Sequence, residues 1–178
     1  MRIVRLTEQA DREHLMAAID TIFFDASGVQ AFADAADRVA FRHRWLGLYL
    51  ESWPEHVHLA RDRDGTLAGY LVGCLVDPAR DERFAGIGYL QAFAAQCAAF
   101  PAHLHINLDP AYRSRGLGGQ LIDAFATEAA RAGAPGMHIV TSRTARNVGF
   151  YRAQGFAIEA EAPWKGGDVV FMGRGLAT

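Results

Sequence analysis

Two arginines and three glycines stand within seven residues in the second half of the chain. They lie in RSRGLGG, positions 113–119, between an apolar run and an alanine-rich run with helical spacing. The first N–H groups of a helix have no partner within the helix, and the helix dipole adds a partial positive charge there. Glycines let a ligand approach the backbone closely, and arginine forks suit phosphate oxygens. The segment therefore predicts a pyrophosphate site.

The spacing of these residues distinguishes between kinds of phosphate site. A P-loop would need Lys and Ser or Thr after its glycines, but Gly119 is followed by Gln120 and Leu121. A dinucleotide fingerprint would need a glycine at position 121. What the chain has is R-x-x-G-x-G, from Arg113 to Gly118. A glycine-rich turn without a ligand is the alternative.

The R-x-x-G-x-G pattern resembles the acetyl-CoA signature of the GNAT N-acyltransferases. A second segment, RNVGFYRAQGF at 146–156, resembles the downstream N-x-x-x-Y-x-x-x-G-F helix of that family. The resemblance implies a GNAT fold and acetyl-CoA, that is coenzyme A carrying an acetyl group. The implied cofactor contacts are Asn107, Leu108, Arg113, Ser114, Arg115, Gly116, Leu117, Gly118, Gly119, Asn147 and Tyr151.

Two longer stretches point to a narrower group of relatives. HLARDRDGTLAGYLVG and the tail from FYRAQGF to VVFMGRGL look like the acetyltransferase-like domain at the C-terminus of animal O-GlcNAcases. That domain has a degenerate phosphate loop, whereas the loop is intact here. The intact loop therefore favours cofactor binding by this chain more than by that relative.

The family resemblance implies direct transfer, in which an amine attacks the thioester carbonyl. A backbone N–H around Asn107 to Asp109 would polarise the carbonyl oxygen, and Tyr151 would assist the leaving thiolate. Tyr151 could instead be a core aromatic. For the base, the strand before the loop offers His105 and Asp109. The alternatives are a hydrogen-bonded histidine of the core or groove and an aspartate that braces the loop.

Alternation places His103, His105 and Asn107 on one face of that strand. His103/His105 and His56/His58 are H-x-H pairs, which can hold a metal ion. Since no third ligand of suitable spacing accompanies them, no metal site is predicted.

The composition limits the class of protein. With 178 residues, of which 51% are hydrophobic, the chain suits one domain over residues 1–178. The net charge of −2 gives no global field for nucleic acid or an anionic membrane. Two cysteines in apolar surroundings, no apolar leader and no apolar run of membrane length predict a cytoplasmic protein.

The order of the predicted elements favours an α/β or α+β domain. We expect a mixed central sheet of six or seven strands with helices on both faces. Helices are predicted from an N-cap at Thr7, over about 29–51 and over about 117–132, and Asp64-Gly65 predicts a hairpin turn.

The leading interpretation is transfer of an acetyl group from acetyl-CoA to a primary amine, either of a small molecule or of a peptide or protein lysine. The alternative is a coenzyme A-binding module that has lost its catalytic base and recognises a cofactor or peptide.

Overall fold

The structure, a computed structural model, describes residues 1–29 and 31–176. Seven strands form one mixed sheet in the order β1-β2-β3-β4-β5-β7-β6. This sheet and its helices confirm the predicted α/β class. The strands are β1 Arg2–Arg5, β2 His58–Arg61, β3 Leu67–Cys74, β4 Ala102–Leu108, β5 Gly136–Ser142, β6 Ala157–Trp164 and β7 Gly167–Gly175.

The helices precede β2, β4, β5 and β6 in the chain. They are α1 Arg12–Ala26, α2 Ala35–Arg42, α3 Leu48–Ser52, α4 Tyr89–Ala92, α5 Ala94–Ala99, α6 Leu117–Arg131 and α7 Asn147–Ala153. A π-helical turn, His43–Gly47, joins α2 to α3 in one helical run. Single 3-10 turns stand at Leu6–Glu8, Pro54–His56, Glu82–Phe84 and Pro110–Tyr112.

The first two helices begin later than the sequence predicts. Thr7 is not an N-cap, because it lies within a 3-10 turn and α1 begins only at Arg12. The helix expected from position 29 begins at Ala35, where the Asp34 side chain accepts a hydrogen bond from the Asp37 N–H at 2.8 Å. A capping carboxylate satisfies a backbone donor that the helix itself cannot.

The chain divides into two compact units. The first consists of Met1–Gly73 and His105–Phe125. In it β2 pairs antiparallel with both β1 and β3, and the Asp62 N–H donates to the Thr66 carbonyl at 3.0 Å across the hairpin turn. Gly65 has a φ of +88°, which confirms the predicted turn position.

The second unit consists of Cys74–Leu104 and the chain from Ala126 onward. Here β7 pairs antiparallel with β5 and with β6, and β4 pairs in parallel with β5 at Ala102 and His103. The single domain over 1–178 stays a prediction.

His103 belongs to the core of the second unit, whereas His105 belongs to the first. The His103 ring stacks on His138 with centroids 5.4 Å apart, and His138 stacks on Phe171 at 4.4 Å. Both histidines are buried. Alternation predicts one face of β4 for both His103 and His105, but the two side chains belong to different units and have different neighbours.

Within the described residues, Cys74 and Cys97 are buried and form no disulfide. Burial raises the pKa of the Cys97 thiol to about 12, so this thiol stays protonated at neutral pH. Among the residues that the structure describes, no helix is both long and apolar enough to span a bilayer.

Close packing between β3 and α6 makes Gly73 a sensitive position. A Cβ at Gly73 would lie 2.4 Å from Cε2 of Phe125, a fully buried ring. We expect Gly73→Ala to lower the free energy of unfolding by about 1 to 3 kcal/mol, because the ring must shift within a packed core. Urea denaturation measures this. Gly86→Ala is the control, since nothing lies within 4 Å of a Cβ there. Equal stability of the two variants would contradict the prediction.

Candidate functional site

Two residues of the segment between β4 and α6 have a left-handed backbone conformation. Ser114 has a φ of +60° and Gly116 a φ of +77°. The Gln120 N–H donates to the Gly116 carbonyl at 3.2 Å, in the i to i−4 pattern of an α-helix. The N–H groups of residues 117–119 therefore precede this first helical donor, as the phosphate hypothesis requires.

The four residues from Arg113 to Gly116 form a continuous exposed stretch of this segment. Nothing lies within 4 Å of the position that a Cβ of Gly116 would occupy, so the loop faces open space there. Leu117 and Gly118 are buried, and Gly119 is half-buried. The Leu117 side chain therefore packs inside, and only its backbone is suited to meet a ligand.

The two arginines of the loop have different neighbours. Nε of Arg113 donates to the Leu108 carbonyl at 3.1 Å, which ties the loop to the end of β4. The Arg115 guanidinium lies 5.5 Å from the centre of the Tyr112 ring. The Arg113 bond uses one of five N–H donors, so a guanidinium can brace the loop and still bind an anion.

The hairpin between β2 and β3 supports the loop from the side. The Tyr112 hydroxyl donates to Oδ2 of Asp62 at 2.9 Å, and Oδ1 of Asp62 accepts from the N–H groups of Asp64 and Thr66. The Tyr112 hydrogen bond holds the pKa of Asp62 below its ordinary value. The tip of the hairpin therefore also supports the loop.

Asp109 is engaged in local structure. Its Oδ1 accepts from the Ala111 N–H at 2.8 Å, and its own N–H donates to the Ala68 carbonyl at 3.0 Å. The carboxylate therefore caps the turn Pro110–Tyr112. This arrangement favours a brace over a base.

His105 lies among aromatic side chains of the first unit. Its Nε2 is 3.1 Å from the Tyr49 hydroxyl, and its ring centroid is 5.7 Å from that of Trp45. Burial lowers the pKa of His105 to about 4. Because an alkyl ammonium has a pKa near 10, an imidazole with so low a pKa is a weak base toward it. His105 is better suited to hydrogen bonding as a neutral ring.

Asn107 is held in a similar way. Its Nδ2 donates to the Tyr70 hydroxyl at 2.9 Å. Tyr70 is fully buried, and burial raises the pKa of its phenol well above the usual range. The ring is therefore neutral at physiological pH, and the two side chains form an uncharged bridge between β3 and β4.

Tyr49 and Tyr70 contact predicted site residues but were not themselves predicted as site residues. Tyr49 follows the π-helical turn His43–Gly47, and such turns are frequent at functional sites. Tyr70 lies in an apolar strand, where a buried hydroxyl needs a polar partner. The apolar surroundings of Tyr70 indicate that its hydroxyl has a partner but not which residue it is, whereas the π-helical turn before Tyr49 is visible only in the structure.

Asn147 and Tyr151 belong to the second unit. Asn147 is exposed, and its Oδ1 accepts from the Thr141 hydroxyl at 3.0 Å. Tyr151 is buried, with its ring centroid 5.6 Å from that of Phe156. Burial raises the pKa of Tyr151, so its phenol stays protonated at neutral pH.

No group of three or more metal-ligating side chains occurs in residues 1–29 and 31–176.

The low pKa of His105 predicts a pH dependence of folding. A histidine whose pKa falls from its ordinary 6.5 to about 4 contributes stability above pH 6.5, which is lost as the pH falls toward 4. The loss amounts to about 3 kcal/mol at most. We expect His105→Gln to flatten the dependence of the unfolding free energy on pH between 6.5 and 4, as followed by urea denaturation.

His14→Gln is the control for that measurement, because His14 is exposed. It should retain the wild-type slope. A His105→Gln profile that parallels the wild type would show that this imidazole is not kept neutral by burial.

A protein-family model and several solved structures match most of this chain. The family model described as Acetyltransferase (GNAT) family matches residues 26–156. SsHAT is 21% identical, with a TM-score of 0.71 over 99% of this chain and 98% of its own. Naa20 of Chaetomium thermophilum, in complex with a bisubstrate analogue, is 16% identical, with a TM-score of 0.66 over 99% and 87%.

A further similar structure carries a cofactor. The putative acetyltransferase yncA of Salmonella typhimurium, solved with acetyl-CoA, is 22% identical, with a TM-score of 0.63 over 100% of this chain and 95% of its own. At these identities the structures establish a shared fold, and the family model covers most of the chain. The chain belongs to the GNAT acetyltransferase family.

Proposed function

We propose that this protein is an acetyl-CoA-dependent N-acetyltransferase that acetylates a primary amine of a small molecule or of a peptide or protein. The observation that carries the proposal is the loop Arg113–Gly119, with its two left-handed residues and its position at the start of α6. Such a loop directs backbone N–H groups toward an anion.

The residues of this loop fit the diphosphate of coenzyme A. Arg113, Ser114, Arg115 and Gly116 are exposed, and a Cβ at Gly116 would meet open space. The net charge of the chain is −2, so local donors and arginines have to supply the attraction. The yncA structure with acetyl-CoA supports this assignment by analogy.

Bound acetyl-CoA would supply an acetyl group activated as a thioester. Polarising its carbonyl requires a fixed N–H donor at the end of β4. Because the Asp109 N–H donates to Ala68, we assign this task to Asn107 or Leu108. Tyr151, protonated at neutral pH, would donate a hydrogen bond to the departing sulfur.

The acceptor amine would react in its neutral form, and the proton that its nitrogen loses on forming the amide would end on the thiol of the released coenzyme A. We assign His105 the task of accepting or relaying a hydrogen bond from the amine, because its ring is neutral and held by Tyr49. Asp109 would shape the loop rather than remove the proton. The Naa20 complex with a bisubstrate analogue fits a reaction of two substrates on this fold.

A coenzyme A-binding module without turnover is the second candidate. The observation that favours it is the absence of a strong base at the two positions predicted for one, His105 and Asp109. The narrower resemblance to the acetyltransferase-like domain of O-GlcNAcases and the cytoplasmic location stay predictions.

One pair of measurements separates the two candidates. Calorimetry with acetyl-CoA and with coenzyme A tests binding, and release of free thiol with small amines and lysine peptides tests transfer. Binding with thiol release above the hydrolysis background on any acceptor supports the enzyme. Binding without release on the panel favours the module, and no binding overturns both.

Charge reversal in the loop tests the phosphate assignment. We expect Arg115→Glu to weaken acetyl-CoA binding about tenfold or more, because it replaces an attractive charge with a repulsive one beside a diphosphate. Calorimetry at two salt concentrations measures the effect, which should shrink at high salt. Arg131→Glu, at the other end of α6, is the matched control. Equal affinities for the two variants would remove Arg115 from the site.

The role of Tyr151 is tested by removing only its hydroxyl. Tyr151→Phe should lower kcat at least about tenfold with little change in acetyl-CoA affinity, because the hydrogen bond forms as the thiolate departs. The control is Tyr89→Phe, which removes the hydroxyl of another buried tyrosine. A Tyr151→Phe enzyme with wild-type kcat would exclude the phenol from the reaction.

A further inference from the structure

Three consecutive residues of β3 contact the same short segment at the end of β4. The β3 triplet, Ala68–Tyr70, faces Asn107–Asp109 within the first unit. Each contact is of a different physical kind, namely a backbone hydrogen bond, a close approach without a side chain, and a side-chain hydrogen bond.

The backbone hydrogen bond fixes the direction of the last amides. The Asp109 N–H donates to the Ala68 carbonyl at 3.0 Å. Successive N–H groups along an extended chain point to opposite edges. The N–H of Leu108 is therefore directed away from β3 and can donate to a ligand. The N–H of Asp109 cannot do so, because it already donates to Ala68.

The close approach depends on the missing side chain at Gly69. A Cβ there would lie 2.3 Å from Cδ2 of Leu108 and 2.8 Å from the carbonyl oxygen of Asn107. It would also lie 3.1 Å from Cα of Leu108. Because two of these three atoms belong to the backbone, rotation of a side chain cannot relieve the overlap. Any other residue at position 69 has to displace the end of β4.

The side-chain hydrogen bond adds a second fixed point. Nδ2 of Asn107 donates to the hydroxyl of Tyr70 at 2.9 Å, and the Tyr70 ring is fully buried. A buried ring offers the amide a hydroxyl in a constant position. The Asn107 side chain is thus held from β3 rather than from its own strand.

From these three contacts we infer that the β3 triplet positions the backbone donor that polarises the thioester carbonyl, with Leu108 N–H as that donor. Gly69 and Tyr70 are positioning residues for the reaction, although neither lies in the phosphate loop. This inference rests on the proposed function. It goes beyond that function by naming the residues of β3 that hold the donor in place.

Tyr70→Phe tests the hydrogen bond with the least change in shape. Loss of one hydrogen bond to a positioned group should lower kcat about fivefold while the KM for acetyl-CoA stays within about twofold. Gly69→Ala tests the close approach. It should lower kcat about tenfold or more, because a displacement of the donor by a fraction of an ångström weakens a fixed electrostatic contact.

Two control variants separate positioning from general destabilisation. Tyr89→Phe removes the hydroxyl of a buried tyrosine in the second unit. Gly136→Ala places a Cβ 2.4 Å from Cδ1 of Phe100, an overlap similar to that at Gly69 but within the second unit. Both controls should retain the wild-type kcat at temperatures well below unfolding.

Hydrogen exchange supplies a readout that does not depend on activity. In the ligand-free protein, mass spectrometry of the peptide that contains Asn107–Asp109 should show faster exchange in Tyr70→Phe and Gly69→Ala than in the wild type and the controls. A purely global loss of stability would instead speed exchange throughout the chain.

The outcomes distinguish this inference from the proposed function. If the wild type transfers acetyl groups and both β3 variants keep the kcat of their controls, the inference is overturned and the function stands. If the wild type fails to bind acetyl-CoA, the proposed function is overturned. In that case hydrogen exchange alone tests whether the β3 triplet holds the end of β4. Unchanged protection of Asn107–Asp109 in both β3 variants would overturn this positioning role as well.

Discussion

The first turn of an α-helix contains N–H groups that the helix cannot satisfy, and the candidate site is built on such a turn at the start of α6. The chain enters it through Ser114 and Gly116, both in the left-handed region, and the Gly116 carbonyl accepts the first helical hydrogen bond. A loop of this conformation is stable only when neighbouring groups hold it. The Arg113 bond to the Leu108 carbonyl and the Tyr112 bond to Asp62 do so from two sides.

A polar atom that is withdrawn from water needs a hydrogen-bond partner, and this holds for the side chains of β4 as it does for backbone groups. His105 and Asn107 each lie at hydrogen-bond distance from a tyrosine hydroxyl, on α3 and β3 respectively. Burial lowers the pKa of His105 and raises the pKa of Tyr70, so both side chains are neutral at physiological pH. The side chains of His105 and Asn107 are therefore uncharged and hydrogen-bonded, which suits a site where charge develops only during a reaction.

Signals between close neighbours in the sequence led to correct predictions. Asp64-Gly65 predicted the hairpin turn, and Gly65 has the expected positive φ. The glycines and the alanine-rich stretch placed α6 within one residue of its observed bounds. The N-cap at Thr7 was wrong, since Thr7 lies inside a 3-10 turn and α1 begins only at Arg12. The cofactor contacts and catalytic roles stay predictions.

The sequence by itself determined the strand–loop–helix segment that resembles the family signature, because the required conformations follow from glycine, proline and the period of the apolar residues. Only the tertiary structure decided which distant residues meet there. Tyr70 and Asn107 are 37 positions apart, and Tyr112 and Asp62 are 50 apart. It also separated His103, in the core of the second unit, from His105, beside Tyr49. Such pairings depend on strand register and helix packing, which are set by the burial of the whole chain and not by any local pattern.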